Sequence, residues 1–144
     1  MKVTYSDLKN KRVFISGGGS GIGATIVEYF CEQKSEVYFI DIDLKSSNKL
    51  IKKIKKKGFR VPKFIECNIL DVKKLQNIIK DIISKKGAIH CLINSAANDD
   101  RHTTEQVDEK YRENRMGINL KHYFFAAQAV VKGMKKIKSG SIVN

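Results

Sequence analysis

The sequence predicts an α/β fold of the Rossmann type, in which helices cover both faces of a doubly wound parallel sheet. Short apolar segments alternate without exception with longer segments whose apolar residues recur at helical spacing. The short segments carry apolar residues on both faces, and no hairpin signal joins any two of them. Strands of this kind, each followed by a helix, are typical of a parallel sheet between two helical layers.

Five strands are predicted, and each is bounded by glycine or by polar residues. In chain order they cover residues 12–16, 36–41, 62–68 and 88–94, and a fifth begins at Ser141. The helices between them are predicted at 21–33, at 44–57 before a stop at Gly58, after a cap at Asp71, and over one long stretch at 108–137. Because no repeat or linker interrupts this order, residues 1–144 are expected to form one domain.

Composition is typical of a globular protein without membrane segments. Hydrophobic residues make up 42% of the 144 residues and charged residues 30%. No apolar run approaches the ~18 residues of a membrane span, and the N-terminal segment is too polar for a signal peptide, so a cytoplasmic protein is expected. The three cysteines lie far apart with no histidine pair nearby, which favours reduced thiols and predicts no metal site.

The net charge of +13 permits two interpretations. Lysines cluster in runs such as KKIKKK at 52–57, and these runs fall on the predicted amphipathic helices. Lysine stems there would cover apolar flanks while the ammonium groups stay in water, which is the interpretation that we favour. A nucleic-acid partner is the minor alternative, although no aromatic residues are interleaved with the basic ones.

A glycine-rich segment, SGGGSGIG at 16–23, joins the first predicted strand to the first helix. Glycines allow a sharp turn there and let a pyrophosphate approach the helix N-terminus, where free N–H groups favour anions. Asp41 ends the second strand, where a carboxylate would accept from both ribose hydroxyls and repel a 2′-phosphate. Since Ser20 supplies no cation for such a phosphate, the predicted cofactor is NAD and not NADP.

Four motifs resemble those of the short-chain dehydrogenase/reductase family. They are Gly17-x-x-x-Gly21-x-Gly23, Cys67-Asn68-Ile69, Asn94-Ser95-Ala96-Ala97, and Asn119 within Gly117-Ile118-Asn119-Leu120. The resemblance implies that Asn119 belongs to the catalytic set. It also implies cofactor contacts at Gly17, Gly19, Ser20, Gly21, Ile22, Gly23, Asp41, Ile42, Asn68, Ile69, Asn94 and Ala96.

The chain departs from the family pattern at three of these positions. Asn68 stands where the family usually has Asp and holds the adenine, and the Asn68 amide oxygen could still accept from the adenine amino group. Ser95 and Ala97 stand where the family has Asn and Gly. The backbone contacts to the ribose and the nicotinamide are expected to persist, because they do not depend on these side chains.

A polar loop, NDDRH at 98–102, follows the fourth strand and therefore lies at the ligand-binding edge of the sheet. Its donors and acceptors suit a polyhydroxylated substrate, but such residues also favour turns, and Thr103 with Gln106 could form a capping box. The loop and the segment after it resemble the sugar-oxidising branch of the family, which implies oxidation of an aldose at C1 to a lactone. Asn98 and Asp99 are then expected nearest the sugar, with Asp100 and Arg101 holding the loop and His102 neither base nor ligand.

The family also requires a Ser just beyond the fifth strand and a Tyr-x-x-x-Lys on the next helix. The sequence ends at Asn144, before any such Ser, and the pattern occurs only at Tyr5 and Lys9, ahead of the first strand. We therefore expect an N-terminal, cofactor-binding part of an aldose dehydrogenase, truncated after the start of the fifth strand and inactive alone, whose full-length form is a homo-oligomer. A non-catalytic NAD-binding domain and a basic nucleic-acid-binding domain are the two alternatives.

Overall fold

The computed structural model describes residues 3–144 and contains one five-stranded parallel sheet. The strands are β1 (Arg12–Ser16), β2 (Glu36–Asp41), β3 (Lys63–Glu66), β4 (Cys91–Asn94) and β5 (Ser141–Val143). Their order in the sheet is β3-β2-β1-β4-β5, and every neighbouring pair is parallel. The predicted fold class is confirmed.

Helices cover the two faces of this sheet and divide the core into two apolar clusters. They are α1 (Gly21–Glu32), α2 (Leu44–Lys56), α3 (Val72–Lys86), α4 (Glu109–Met116) and α5 (His122–Lys136). Phe14 packs in one cluster with residues of α3 and α5, whereas Val13 and Ile15 pack in the other with residues of α1 and α2. Successive β1 side chains thus point to opposite helical layers, as a strand buried on both faces requires.

The strand order reverses between β1 and β4. From β1 the chain builds outward through β2 and β3, and then returns to place β4 on the other side of β1. A crevice forms outside the carboxyl ends of the strands at such a reversal, and open α/β sheets bind their ligands there. The segments that follow Ser16 and Asn94 therefore share one crevice.

Helix ends coincide with the predicted cap Asp71 and the predicted stop Gly58, and with one cap that was not predicted, Asp43. Asp71 accepts a hydrogen bond from Lys74 N at 2.9 Å and begins α3. Asp43 accepts from Ser46 N at 2.9 Å and begins α2. Gly58 has a φ of +71° directly after α2, which is the left-handed conformation that glycine adopts most readily. Local side-chain chemistry therefore fixes where these helices begin and end.

Three predicted elements differ in the structure. The fourth strand, predicted at 88–94, spans Cys91–Asn94. The single helix expected at 108–137 is α4 and α5 with a π-helical turn, Gly117–Lys121, between them. The third strand, predicted at 62–68, spans Lys63–Glu66 and begins directly after Pro62, which has no N–H for the ladder. It is an edge strand and its side chains are partly exposed, so only the inner strands are buried on both faces.

Gly23 occupies a position in which a residue with a side chain does not fit. A Cβ at Gly23 would lie 1.9 Å from the carbonyl oxygen of Gly17, which is backbone and cannot rotate away. We expect Gly23→Ala to lower the free energy of unfolding by more than about 2 kcal/mol, because the loop must move to relieve the overlap.

Gly58→Ala is the matched control, because a Cβ at Gly58 meets nothing within 4 Å. We expect Gly58→Ala to lower the free energy of unfolding by roughly 1 kcal/mol, which is the cost of holding alanine in the left-handed backbone conformation. Urea unfolding followed by circular dichroism gives both values. Equal losses for the two variants would contradict the packing that we describe at Gly23.

Candidate cofactor site

A cavity of about 670 Å³ lies at the carboxyl ends of the strands, where the strand order reverses. The loops after β1, β2, β3 and β4 all contribute to it. Its lining consists of Gly17, Ser20, Gly21, Ile22, Gly23, Asp41, Ile42, Asp43, Cys67, Asn68, Ile69, Ser95, Ala96, Ala97, Asn98, Asp99 and Ile118. This list contains most of the residues that the sequence predicts for the cofactor and both residues predicted for the sugar.

The glycine loop passes close beneath the loop after β4. Gly17 has a φ of +68°, and a Cβ there would lie 2.6 Å from Ala96 Cα. The loop delivers the chain into the first turn of α1, whose N-cap residue Ser20 makes no side-chain capping bond. The N–H groups of the first turn, at Gly21, Ile22 and Gly23, have no partner within a helix and line the cavity. They are suited to bind an anion.

The Asp41 carboxylate is fixed at the end of β2 by two backbone donors. Oδ2 accepts from Gly19 N at 2.8 Å, and Oδ1 accepts from Asp43 N at 2.9 Å. Gly19 itself does not line the cavity, and a Cβ there would meet Ser47 Oγ at 2.5 Å and Asp41 Cγ at 2.8 Å. Gly19 therefore positions Asp41, and its expected direct contact with the cofactor stays a prediction.

Ser16 connects the loop after β4 to His122, which follows the π-helical turn that contains Asn119. Its hydroxyl oxygen accepts from Ser95 N at 3.2 Å and from Ala96 N at 3.3 Å. The same oxygen lies 3.2 Å from His122 Nε2, and both side chains are fully buried. Sequence reasoning missed this cluster, because nothing local signals a contact between residues 106 positions apart.

The hydrogen-bonding roles within this cluster follow from its acceptors. His122 Nδ1 lies 2.6 Å from the carbonyl oxygen of Ile118, which can only accept, so Nδ1 carries the proton. Burial lowers the pKa of His122 and keeps the ring neutral, which leaves Nε2 as an acceptor for the Ser16 hydroxyl. Insertion of a side chain at a helix carbonyl is a recognised cause of helix distortion, and Ile118 lies in the π turn.

Asn119 uses its whole amide to hold the loop that follows β4. Its Oδ1 accepts from Asn98 N at 2.8 Å, and its Nδ2 donates to the carbonyl oxygen of Asn98 at 2.9 Å. The Asn119 amide thus bonds both backbone groups of Asn98, as a neighbouring strand would, and fixes Asn98 beside the cavity. Asn119 does not line the cavity, so in this structure it is a positioning residue, and its expected membership of the catalytic set stays a prediction.

The polar loop is fastened to α4 at further points. Arg115 Nη2 donates to Asp100 Oδ2 at 2.9 Å, and the Tyr111 hydroxyl donates to the carbonyl oxygen of Asp100 at 2.6 Å. The His102 ring lies against the Tyr111 ring, with centroids 4.2 Å apart. The capping box at Thr103, which was one of the alternatives from the sequence, is present. Asp100 therefore holds the loop, in the role expected for it, while Asn98 and Asp99 face the cavity.

Asn94 lies apart from the cavity. Its side chain is buried, and Nδ2 donates to Asn144 Oδ1 at 2.7 Å. Asn94 Oδ1 has no hydrogen-bond partner among residues 3–144. The structure thus places the Asn94 side chain, at the end of β4, in contact with Asn144, and the cofactor contact that the sequence predicts for it stays a prediction.

The comparisons with known proteins agree with this geometry. The family model described as short chain dehydrogenase matches residues 11–144. The chain belongs to this family. It is 38% identical over 140 residues to a protein described as "Probable galactose dehydrogenase" from Rhizobium meliloti, a match that covers 97% of this chain and 55% of that protein. It is 38% identical over 141 residues to D-xylose 1-dehydrogenase from Caulobacter vibrioides, covering 97% and 54%.

Solved structures give the same result for the fold. Aldohexose dehydrogenase from Thermoplasma acidophilum superposes with a TM-score of 0.82 at 26% identity, covering 97% of this chain and 50% of that one. A gluconate 5-dehydrogenase from Burkholderia cenocepacia, in complex with NADP and tartrate, superposes with a TM-score of 0.80 at 24% identity, covering 93% and 52%. The chain thus spans about half the length of these relatives. Within residues 3–144, no helix has the length and apolar character needed to cross a membrane.

The buried His122 ring predicts a loss of stability in acid. Burial lowers its pKa in the folded state, so the unfolded chain binds the proton first. The stabilisation is complete above the unfolded pKa of about 6.5 and is lost as pH falls below that value towards the folded pKa. We expect His122→Gln to reduce the loss of unfolding free energy between pH 7.5 and 5.5 by on the order of 1 kcal/mol.

The measurement is urea unfolding at the two pH values, with His102→Gln as the matched control at an exposed histidine. The pKa of His90 is also lowered, by burial and by nearby Lys11 and Arg12, so part of the acid sensitivity should remain in His122→Gln. An identical pH dependence in the unmodified chain and in His122→Gln would refute the neutral, buried state of His122.

Proposed function

We propose that this chain is the NAD-binding part of a short-chain dehydrogenase that oxidises an aldose at C1 to a lactone. When bound, NAD supplies the nicotinamide ring that accepts the hydride. The chain's own residues bind this cofactor, select it against NADP, and position the sugar beside it. The observation that carries the proposal is the fixed Asp41 carboxylate in a cavity that no cationic side chain among residues 3–144 lines.

Different parts of the cavity lining suit different parts of the NAD molecule. The N–H groups at the start of α1 suit the pyrophosphate. Asp41, held by Gly19 N and Asp43 N, keeps acceptor lone pairs for the hydroxyls of the adenosine ribose. Ile42 and Ile69 offer apolar surface beyond Asp41 for the base, and Ala96 with Ile118 borders the end at which Asn98 and Asp99 stand.

The charge of the lining favours NAD over NADP. Within the part of the chain that the structure describes, three aspartates and no lysine, arginine or histidine line the cavity. A 2′-phosphate would bring two negative charges to the fixed Asp41 carboxylate without a cation to offset them. NAD presents a neutral hydroxyl at the same point, which can donate to Asp41.

The polar loop supports a sugar substrate. Asp99 is exposed in the cavity and can accept from a sugar hydroxyl. Asn98 has its Oδ1 bound by Asp100 N at 2.9 Å, so its free group is the Nδ2 donor. Because Asn119, Tyr111 and Arg115 fasten this loop, donor and acceptor are held in place before the substrate binds, which lowers the entropy cost of binding. Two relatives named for galactose and xylose support the same substrate class.

We expect NAD to bind at least about tenfold more tightly than NADP, which corresponds to ~1.4 kcal/mol. Asp41→Ala should weaken NAD binding and bring the two dissociation constants close together, because the ribose acceptor and the repelling charge are both removed. Isothermal titration calorimetry of the two cofactors measures this ratio.

Asp81→Ala is the control, since it makes the same change of net charge at an exposed site on α3, outside the cavity lining. It should leave the ratio unchanged. Equal or tighter binding of NADP by the unmodified chain would contradict the assignment of NAD.

We also expect the 144-residue chain to produce no NADH from aldoses. The one Tyr-x-x-x-Lys pattern is Tyr5 with Lys9, and the Tyr5 backbone is bonded to Gln33, at the amino end of the sheet and away from the cavity. Fusion to the C-terminal segment of a related aldose dehydrogenase should produce NADH, measured by absorbance.

Turnover by the 144-residue chain, absent in a heat-treated sample, would show that the base lies within it. A fused chain that binds NAD but oxidises no aldose would favour the alternative function, a non-catalytic NAD-binding domain.

A further inference from the structure

One buried histidine contacts both of the segments that form one end of the cavity. His122 begins α5, is fully buried and does not line the cavity. Its Nε2 lies 3.2 Å from the Ser16 hydroxyl, and its Nδ1 lies 2.6 Å from the carbonyl oxygen of Ile118. The Tyr123 ring meets the imidazole edge-on, with the ring centroids 4.4 Å apart. Three neighbours thus hold the imidazole in one place.

The Nε2 side of the ring acts on the loop after β4. The Ser16 oxygen accepts from Ser95 N at 3.2 Å and from Ala96 N at 3.3 Å, while its proton goes to His122 Nε2. A hydroxyl has one proton, and the direction of that proton determines where its lone pairs point. The histidine acceptor therefore orients Ser16 so that its lone pairs face the two N–H groups. Ser95 and Ala96 both line the cavity.

The Nδ1 side of the ring acts on the π-helical turn. Ile118 lines the cavity, and its carbonyl oxygen accepts from His122 Nδ1. A side chain that bonds a helix carbonyl can hold the helix out of its regular hydrogen-bond pattern. Asn119, the next residue, bonds the N–H and the carbonyl of Asn98 at 2.8 Å and 2.9 Å. His122 thereby fixes the turn from which Asn119 reaches the polar loop.

Both contacts lead to the same end of the cavity. The lining residues that depend on the imidazole are Ser95, Ala96, Asn98 and Ile118. The ribose end has supports of its own, because Asp41 is held by Gly19 N and Asp43 N. Loss of the imidazole should therefore displace one end of the cavity and leave the other in place.

We propose that His122 is the positioning residue for the end of the cavity that holds the nicotinamide and the sugar. It acts through Ser16 on the loop after β4 and through the π turn on Asn98, and it touches neither ligand. This inference rests on the proposed function, because it assumes that NAD lies with its adenosine ribose at Asp41 and its nicotinamide at the opposite end. Residues that bind a ligand need such support, since small displacements of a binding group weaken binding.

Two variants separate the two contacts of the ring. His122→Asn can place its amide nitrogen where Nδ1 stands and keep the bond to Ile118, but it offers no acceptor to Ser16. His122→Gln can place its amide oxygen where Nε2 stands and keep the bond to Ser16, but it offers no donor to Ile118. Isothermal titration calorimetry compares NAD with ADP-ribose, which lacks only the nicotinamide ring.

We expect both variants to weaken the binding of NAD, relative to that of ADP-ribose, by at least about fivefold, the change that corresponds to one net hydrogen bond. A smaller folded fraction alone would weaken both ligands equally, so the ratio of the two dissociation constants reports positioning.

Amide hydrogen exchange of the ¹⁵N-labelled chain gives a second measurement that needs no ligand. His122→Gln should speed exchange at Asn98, because the turn that carries its partner Asn119 is no longer held. His122→Asn should leave that rate unchanged. Exchange at Gly19, whose N–H is bonded to Asp41, should stay the same in both variants.

His90→Gln is the matched control. His90 is a half-buried histidine that lies before β4, at the amino end of the sheet, and its Nδ1 accepts from Arg12 N at 3.0 Å. Because it supports no part of the cavity lining, the variant should retain both the ratio of the dissociation constants and the exchange rate at Asn98.

The outcomes separate the inference from the function on which it rests. An unchanged ratio in both His122 variants would overturn the inference while leaving the NAD site intact. So would an unmodified chain that binds ADP-ribose as tightly as NAD, because this end of the cavity would then hold no nicotinamide. Failure of the unmodified chain and His90→Gln to bind either ligand would overturn the proposed function, and the inference with it.

Discussion

The buried hydroxyl of Ser16 is the point at which the parts of the site are joined. Ser16 ends the central strand β1. Its hydroxyl oxygen accepts from the backbone N–H groups of Ser95 and Ala96, and its O–H donates to His122 Nε2. The strand reversal places β4 beside β1, but this contact sets how closely the two loops approach. Gly17 follows immediately and passes beneath Ala96 with no room for a side chain. Displacing Ser16 would therefore move both walls of the cavity.

The same cluster connects the cofactor side of the cavity to the sugar side. His122 receives the Ser16 hydroxyl on one nitrogen and donates from the other to Ile118 in the π turn. Asn119, the next residue, holds the backbone of Asn98 on both sides. The end of β1 is thus connected, through a neutral histidine and the turn that contains Ile118 and Asn119, to the loop proposed to bind the sugar. Because Nε2 accepts the Ser16 hydroxyl while Nδ1 donates to Ile118, the arrangement requires that His122 stay uncharged.

Charge is distributed unevenly over the molecule. The chain has a net charge of +13, yet the described residues that line the cavity include three aspartates and no cationic side chain. The lysines of α2 are largely exposed, and Lys53 and Lys57 pair with Glu28 on α1. An anionic cofactor must therefore be bound by backbone N–H groups and the end of α1, with the surface lysines contributing only a screened, long-range attraction. The overall charge says little about the ligand of the cavity.

The sequence predicted those features that depend on local chemistry. The glycine loop, the Asp41 position and the caps at Asp71 and Thr103 each follow from a residue type at a fixed spacing, and the cavity forms where these segments meet. The contacts that orient side chains were not predictable in this way. Ser16 and His122 meet only through the tertiary fold, the His122 ring bonds to a carbonyl of the π turn, and the direction of the Asn68 amide depends on Leu70 N. The contact between Asn94 and Asn144, 50 residues apart, likewise depends on the tertiary fold.

The most direct test of the account is to map the NAD-binding surface on the ¹⁵N-labelled chain by nuclear magnetic resonance. The account predicts that the backbone amide signals of the first turn of α1, of Ile69 and of Ala96 shift together as NAD is added, because these groups line one cavity. Amide signals on the lysine-rich face of α2 should stay in place. Shifts confined to that face, or no shift at the start of α1 at saturating NAD, would contradict the account.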